Sequence, residues 1–214
     1  MLTTPRYIIG IDEVGRGPIA GPVAVGSCVF LTPGAQKLFR GVKESKQLTP
    51  EKREMWLLRM HEAKRQGHID FYVTFQSERI IDTRGLSYAI RAALKSSLEK
   101  LKTDPLQSLV LLDGGLRAPV HYPYQRTIIK GDEKETVIAL ASICAKVSRD
   151  KRMKIWGKKY PEYNFESHKG YGTREHYAAL KKYGAISLHR MSFLHVDFVI
   201  RCRSVMVNIR TSIF

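Results

Sequence analysis

Three separate apolar runs in this chain stop on an acid. YIIGI, residues 7–11, is closed by Asp12 and Glu13; LVLL, 109–112, by Asp113; and TIIKG, 127–131, by Asp132. Short runs rich in Ile, Val and Leu read as buried strands. The first run stops at a glycine- and proline-rich turn, GRGPIAGP, and a second strand follows over 23–31. Strand, turn and strand at such short range favour an antiparallel pair over a crossover. A third strand is expected over 69–75, a fourth over 109–112 and a fifth over 126–130. Between them the patterning predicts helices. One is capped at Thr49-Pro50-Glu51 and runs to Gln66. Others cover 85–102, with Leu86, Ile90, Leu94, Leu98 and Leu101 on one face, and 134–150, with basic helical sequence continuing to Tyr160. Another is expected over 173–183. The class is therefore α/β, and 214 residues suffice for one domain burying about 70% of its unfolded surface without disulfides.

An acid ending a strand can be only a turn former, because Asp bonds its neighbouring backbone. Three such ends, two followed by glycine-containing turns, point further. Lys and Arg number 36 against 20 Asp and Glu, for a formal charge of +16. A balance so basic suggests a polyanionic partner. Residues 1–36 sum to zero, whereas 37–65 carry nine bases against four acids and 146–182 carry eleven against four. Either tract could be a solvated helix face; two of them flanking acid-bearing strands fit a nucleic-acid groove. Carboxylates gathered there would repel one another unless cations neutralised them. Mg²⁺ or Mn²⁺ suits such ligands, and two ions about 4 Å apart can clamp in-line attack on a phosphodiester. Adjacent strand residues face opposite sides, so Asp12 and Glu13 share one site only if the strand ends or bends there.

Other chemistries are excluded. Three cysteines, at 28, 144 and 202, make neither a disulfide framework nor a zinc spacing. GIDEVG begins like a phosphate loop but lacks the Lys and Ser/Thr that should follow, and the glycines at 15, 17 and 21 are mis-spaced for a dinucleotide site. His189 and His195, six apart, are poorly spaced to share a metal on a helix. The acids at 12 and 13 come too early for a secretory apolar region, and no apolar run spans a membrane, so a cytoplasmic protein is expected.

The segment GIDEVGRGPIAGPV at 10–23 resembles the opening motif of bacterial ribonuclease HII. The similarity continues through SKQL at 45–48, LLDG at 111–114, KGD at 130–132, ASICAKVSRD at 141–150, HKGYGT at 168–173 and HRMSF at 189–193. The blocks occur in family order across about residues 7–195. The resemblance implies a ribonuclease H-like fold: a central mixed five-stranded sheet flanked by helices, with a helical C-terminal extension over roughly 155–195 and an unassigned tail at 196–214. It implies hydrolysis of RNA in RNA–DNA hybrids and incision at ribonucleotides embedded in duplex DNA, leaving 3′-hydroxyl and 5′-phosphate ends; a monomer is the default expectation. By motif position, Asp12, Glu13, Asp113 and Asp132 would hold Mg²⁺ or Mn²⁺. Gly15, Arg16 and Gly17 would read the 2′-hydroxyl, and Tyr171 would stack on the sugar beyond the ribonucleotide. Lys46 would contact the scissile region, and Arg149, Lys169 and Arg174 the backbone. Two positions depart from the family pattern: Glu44 stands where Asp is usual, and Met191 where a second Arg is usual. A related two-metal nuclease, or a hybrid-binding protein without activity, would share many of these features; the binding protein need not keep all four acids.

Overall fold

The computed structural model describes residues 5–194. His195 and the tail 196–214 lie outside the described residues. One sheet contains β1 (Tyr7–Val14), β2 (Val23–Phe30), β3 (Ile69–Gln76), β4 (Ser108–Asp113) and β5 (Gln125–Ile128). Its order is β3-β2-β1-β4-β5. β2 pairs antiparallel with β1 and β3, whereas β1–β4 and β4–β5 are parallel, so the sheet is mixed as expected. The parallel pairing of β1 with β4 brings their C-terminal ends, and the acids on them, to one end of the sheet.

The helices are α1 (Pro50–Arg65), α2 (Glu78–Arg84), α3 (Leu86–Leu101), α4 (Gly131–Lys134), α5 (Thr136–Lys159), α6 (Phe165–His168) and α7 (Arg174–Tyr183). Helix α1 begins as its sequence demands: Thr49 Oγ1 accepts from Lys52 N–H, with Pro50 at the first position. Helix α3 lays Ile90, Leu94 and Leu98 on one sheet face, against Ile9, Ile11, Val23 and Val25. Helices α5 and α1 cover the other face through Ile138, Ala141, Cys144, Trp56 and Met60. A third cluster joins Met153 of α5 to Phe165, Leu180 and the turn residues Ile19 and Ala20, so the helical extension is packed onto the β1–β2 turn.

Helix α5 sits unusually close to the sheet, and two glycines permit it. A Cβ on Gly10 would lie 2.3 Å from the Val137 carbonyl, and one on Gly26 2.1 Å from the Ala141 oxygen. Gly26 pairs with Asp12 in the sheet, so this approach sets α5 directly over the first acid.

One expectation needs correction, and one helix was not foreseen. The fifth strand ends at Ile128, because its parallel partner β4 ends at Asp113. Ile129 is largely exposed, Lys130 turns left-handed at φ 54°, and Asp132 lies on the single turn of α4 instead of closing a strand. Helix α2 was not expected; Ser77 caps it by accepting from Ile80 N–H, and Gly85 separates it from α3. Helix α5 runs unbroken for 24 residues, in line with the basic helical sequence expected to continue to Tyr160.

Candidate active site

Asp12, Glu13, Asp113 and Asp132 line one concavity of about 370 Å³ at the end of the sheet, together with Gly15, Arg16, Gly17, Lys46 and Tyr171. β1 continues as a strand to Val14, so Asp12 and Glu13 do alternate. Asp12 follows Gly10 on the α5 face, and Glu13 follows Ile9 and Ile11 on the α3 face. They share a concavity because it lies across the edge where both faces end. Asp113 Oδ1 accepts from Gly131 N–H at 2.7 Å, which ties α4, and with it Asp132, to the end of β4. Asp12 Oδ1 accepts from Glu13 N–H at 2.8 Å, and Arg16 Nη1 donates to Glu13 Oε1 at 2.9 Å.

The electrostatics are those of a site short of positive charge. Burial, with Glu13 and Asp113 adding repulsion, pushes the Asp12 carboxyl up to about 7, against the hydrogen bond from Ser142. Burial likewise raises Glu13. Asp132 is raised by burial and by the charges of Asp113 and Glu44, with Lys46 opposing. Glu13 Oε2 is buried without a hydrogen-bond partner. Burying a carboxylate oxygen unpaired is costly, and a hard divalent cation is the partner that fits. Among the described residues no three His, Cys, Asp or Glu side chains form a ready-made chelate. An open wall of carboxylates suits an ion that keeps waters and shares its coordination with phosphate oxygens.

Beside the acids, the turn at 15–17 is held by a buried guanidinium. Arg190, fully buried, donates to the carbonyls of Gly15, Arg16 and Gly21 at 2.7, 3.0 and 2.8 Å. In a trans peptide the N–H points opposite to the carbonyl. With the Gly15 and Arg16 carbonyls drawn inward, the N–H groups of Arg16 and Gly17 face away from Arg190. The Tyr171 ring lies beside Gly17, where an added Cβ would meet its Cε1 at 3.7 Å. Acids, outward N–H donors and an exposed aromatic ring thus meet on one wall, the equipment for a sugar-phosphate backbone.

A sequence model of ribonuclease HII matches residues 9–196. The chain belongs to the ribonuclease HII family. It is 44% identical over 189 residues to the ribonuclease HII of Caldicellulosiruptor bescii, covering 88% of this chain and 87% of that one. Among solved structures it resembles the ribonuclease H2 of Pyrococcus horikoshii OT3 at a TM-score of 0.69 and 26% identity, over 87% of this chain and 93% of that one. It also shares the fold of Bst-RNase HIII in complex with Mn²⁺, at a TM-score of 0.64 and 17% identity, over 94% of this chain and 70% of that one. The chain is therefore a ribonuclease H endonuclease of a family that acts on RNA–DNA hybrids and depends on divalent cations.

Three basic residues expected at the substrate of this ribonuclease HII do not line the concavity. Arg149 is a correction. Its side chain is fully buried and donates to the carbonyls of Pro22, Lys169 and Ala20 at 3.0, 3.0 and 3.3 Å. It fixes the turn and the Tyr171 loop from inside and cannot reach a phosphate. Lys169 lines a separate groove with Arg53 and Lys154, and its Nζ donates to the Glu166 carbonyl. Arg174 opens α7 and is exposed. Sequence reasoning missed Ser142, Lys146 and Arg190. Ser142 and Lys146 both line the concavity, and Lys146 pairs with Asp150 at 2.9 Å. Their signal was there: polar residues four apart in the otherwise apolar stretch 137–147 of α5.

The Tyr171 loop is held by three buried histidines. His168 Nε2 donates to the Tyr163 carbonyl at 2.7 Å, and its Nδ1 accepts from Gly170 N–H at 3.1 Å. His176 Nδ1 must donate to the Tyr171 carbonyl at 2.9 Å, which leaves its Nε2 to accept from His189 Nε2 at 3.1 Å. His189 Nδ1 then accepts from Ile186 N–H at 2.9 Å. Every ring is neutral with one tautomer. Burial lowers all three, His176 and His189 to about 4. Between pH 6.5 and 4 the unfolded chain binds protons that the folded chain refuses, so stability falls as pH falls through that window. By about pH 4 each of the two rings costs the fold on the order of 3 kcal/mol relative to neutrality, where both states are uncharged and the cost vanishes. The midpoint of urea unfolding is expected to drop steeply between pH 6.5 and 4, and to drop less in His189→Gln. An unchanged midpoint across that window would contradict the neutral arrangement.

Proposed function

We propose that residues 1–195 act as a single catalytic unit that incises the RNA strand of hybrids and the ribonucleotide-bearing strand of duplex DNA, leaving 3′-hydroxyl and 5′-phosphate ends. The observation that carries this is the meeting of Asp12, Glu13, Asp113 and Asp132 with residues 15–17 and Tyr171 around one concavity. The four acids would hold Mg²⁺ or Mn²⁺; the Mn²⁺ complex of the HIII relative supports an ion of that class. When bound there, divalent cations supply an activated water and neutralise the departing oxygen. The rest falls to the chain itself. The N–H groups of Arg16 and Gly17, fixed by Arg190, would bond the 2′-hydroxyl and the adjoining phosphate, and that hydroxyl tells RNA from DNA. Lys46 and Lys146 would neutralise phosphate charge on the α5 side. Tyr171, 45% exposed, would stack on the sugar of the next nucleotide and so sense an RNA-to-DNA junction. We take the protein to act as a cytoplasmic monomer; separately, no helix among the described residues is long and apolar enough to cross a membrane.

The direct test is a DNA duplex containing one ribonucleotide, incubated with and without Mg²⁺ or Mn²⁺, with the new ends sequenced. Cleavage that ignores the ribonucleotide would overturn this reading in favour of a general two-metal nuclease. Tyr171→Ala is expected to lose roughly 10- to 100-fold on the single-ribonucleotide duplex, the scale of one stacking contact, and less on a continuous hybrid. Equal losses on both would remove Tyr171 from junction sensing.

A further inference from the structure

A second hollow, about 210 Å³, lies on the α3 side of the turn at 15–17 and is lined by three arginines: Arg16, Arg91 and Arg117. Arg91 projects from α3, and Arg117 follows the Gly114-Gly115 turn that leaves Asp113. Ile90, Leu94 and Leu116 form an apolar floor, and no acid lines the hollow. Among the described residues, Arg91 and Arg117 make no ion pair, and the one pair of Arg16 is with Glu13, at 2.9 Å. Three guanidiniums facing one hollow repel each other, and an anion bound between them would relieve that cost. The guanidinium fork suits the oxygens of a phosphate.

Arg16 belongs to both hollows. An anion bound between Arg16, Arg91 and Arg117 is therefore a close neighbour of whatever lies against the acids. Tyr171 stands on the other side, beside Gly17. We propose that the Arg16–Arg91–Arg117 hollow is a second backbone-phosphate site, which grips a phosphodiester of the bound duplex on the side of residues 15–17 away from Tyr171. Its apolar floor would receive the attached sugar. The site rests on the proposed function, because it needs a duplex lying across the acids. It would fix the duplex at two points, junction ring on one side and phosphate on the other, so that the scissile bond cannot slide past the carboxylates.

The phosphate could belong to the cut strand or to its complement, and the experiment separates them. Arg91→Gln, Arg117→Gln and the double variant are compared with the parent on a single-ribonucleotide duplex in Mg²⁺. Arg65→Gln serves as a control, since that arginine ends α1 at the opposite end of the sheet. Each hollow variant is expected to raise KM several-fold, with a smaller change in kcat. Each should also flatten the slope of log affinity against log salt by roughly one per lost contact, while the control leaves both unchanged. Neutral methylphosphonate linkages are then placed one at a time along each strand. One position should weaken the parent but not the double variant, and the strand carrying it names the source. Both side chains are exposed, so melting temperatures should match the parent. Unchanged KM and salt slope in the double variant, or the same linkage sensitivity in parent and variant, would overturn the proposal. Failure of the parent to cut the single-ribonucleotide duplex would instead overturn the proposed function.

Discussion

Asp113→Asn is expected to abolish cleavage, by about 10³-fold or more, while leaving affinity for a hybrid within a few-fold. The substitution is chosen for what it preserves. Asp113 Oδ1 accepts from Gly131 N–H, and that bond ties α4 and Asp132 to the end of β4. An asparagine oxygen can accept the same bond, so the local geometry survives and only the charge is lost. Asp113 also repels Asp12, Glu13 and Asp132, each of which it helps to raise. Removing it should relax those carboxyls without supplying a ligand for a divalent ion. Single-turnover cleavage and equilibrium binding, measured on the same hybrid in Mg²⁺, separate the two effects. Undiminished cleavage by Asp113→Asn would sink the assignment of the acids.

Arg190→Lys is expected to be nearly as damaging, for a different reason. The guanidinium of Arg190 spans three carbonyls, of Gly15, Arg16 and Gly21, and its carbon lies 5.2 Å from the Phe193 ring centroid. Burial and the neighbouring Arg149 pull it down only to about 10, so it is charged near neutrality. A lysine ammonium is a single point of charge and cannot serve three carbonyls in that fan. Two buried acceptors would be left unpaired, at about 1–3 kcal/mol each. The larger consequence is positional. With the carbonyls released, the N–H groups of Arg16 and Gly17 lose their outward aim. The expected result is a drop of roughly 100-fold in kcat/KM at a temperature where the variant is still folded, with reduced preference for a ribonucleotide over deoxyribonucleotide at the cut. A lower melting temperature with intact ribonucleotide preference would make Arg190 a packing residue only.

Much of this site was legible before any coordinates. Asp12, Glu13 and Asp113 end apolar runs; that β1 pairs parallel with β4, across two intervening strands and three α-helices, is supplied by the fold. Asp132 was placed in the right neighbourhood on the wrong element. Periodicity sees TIIKG as apolar, but pairing stops where β4 stops, and Ile129 turns outward. Arg149 was misread because a base in a basic helix looks like surface. Its burial is set by α6, the loop after it and the β1–β2 turn closing over α5, contacts that are remote in sequence. Arg190 was invisible for the same reason, about 170 positions from the turn it organises. The alternation concern over Asp12 and Glu13 was sound for a strand in mid-sheet. It fails here because the concavity sits at the rim, where front and back are equally accessible.

The one-way bonding of His168, His176 and His189 also makes them an intrinsic spectroscopic gauge. Each imidazole has a defined protonated nitrogen shielded from solvent, so its N–H resonance should persist where exposed rings exchange too fast to observe. The His176 signal, donated to the Tyr171 carbonyl, would register movement of that residue when a duplex arrives, without any added label.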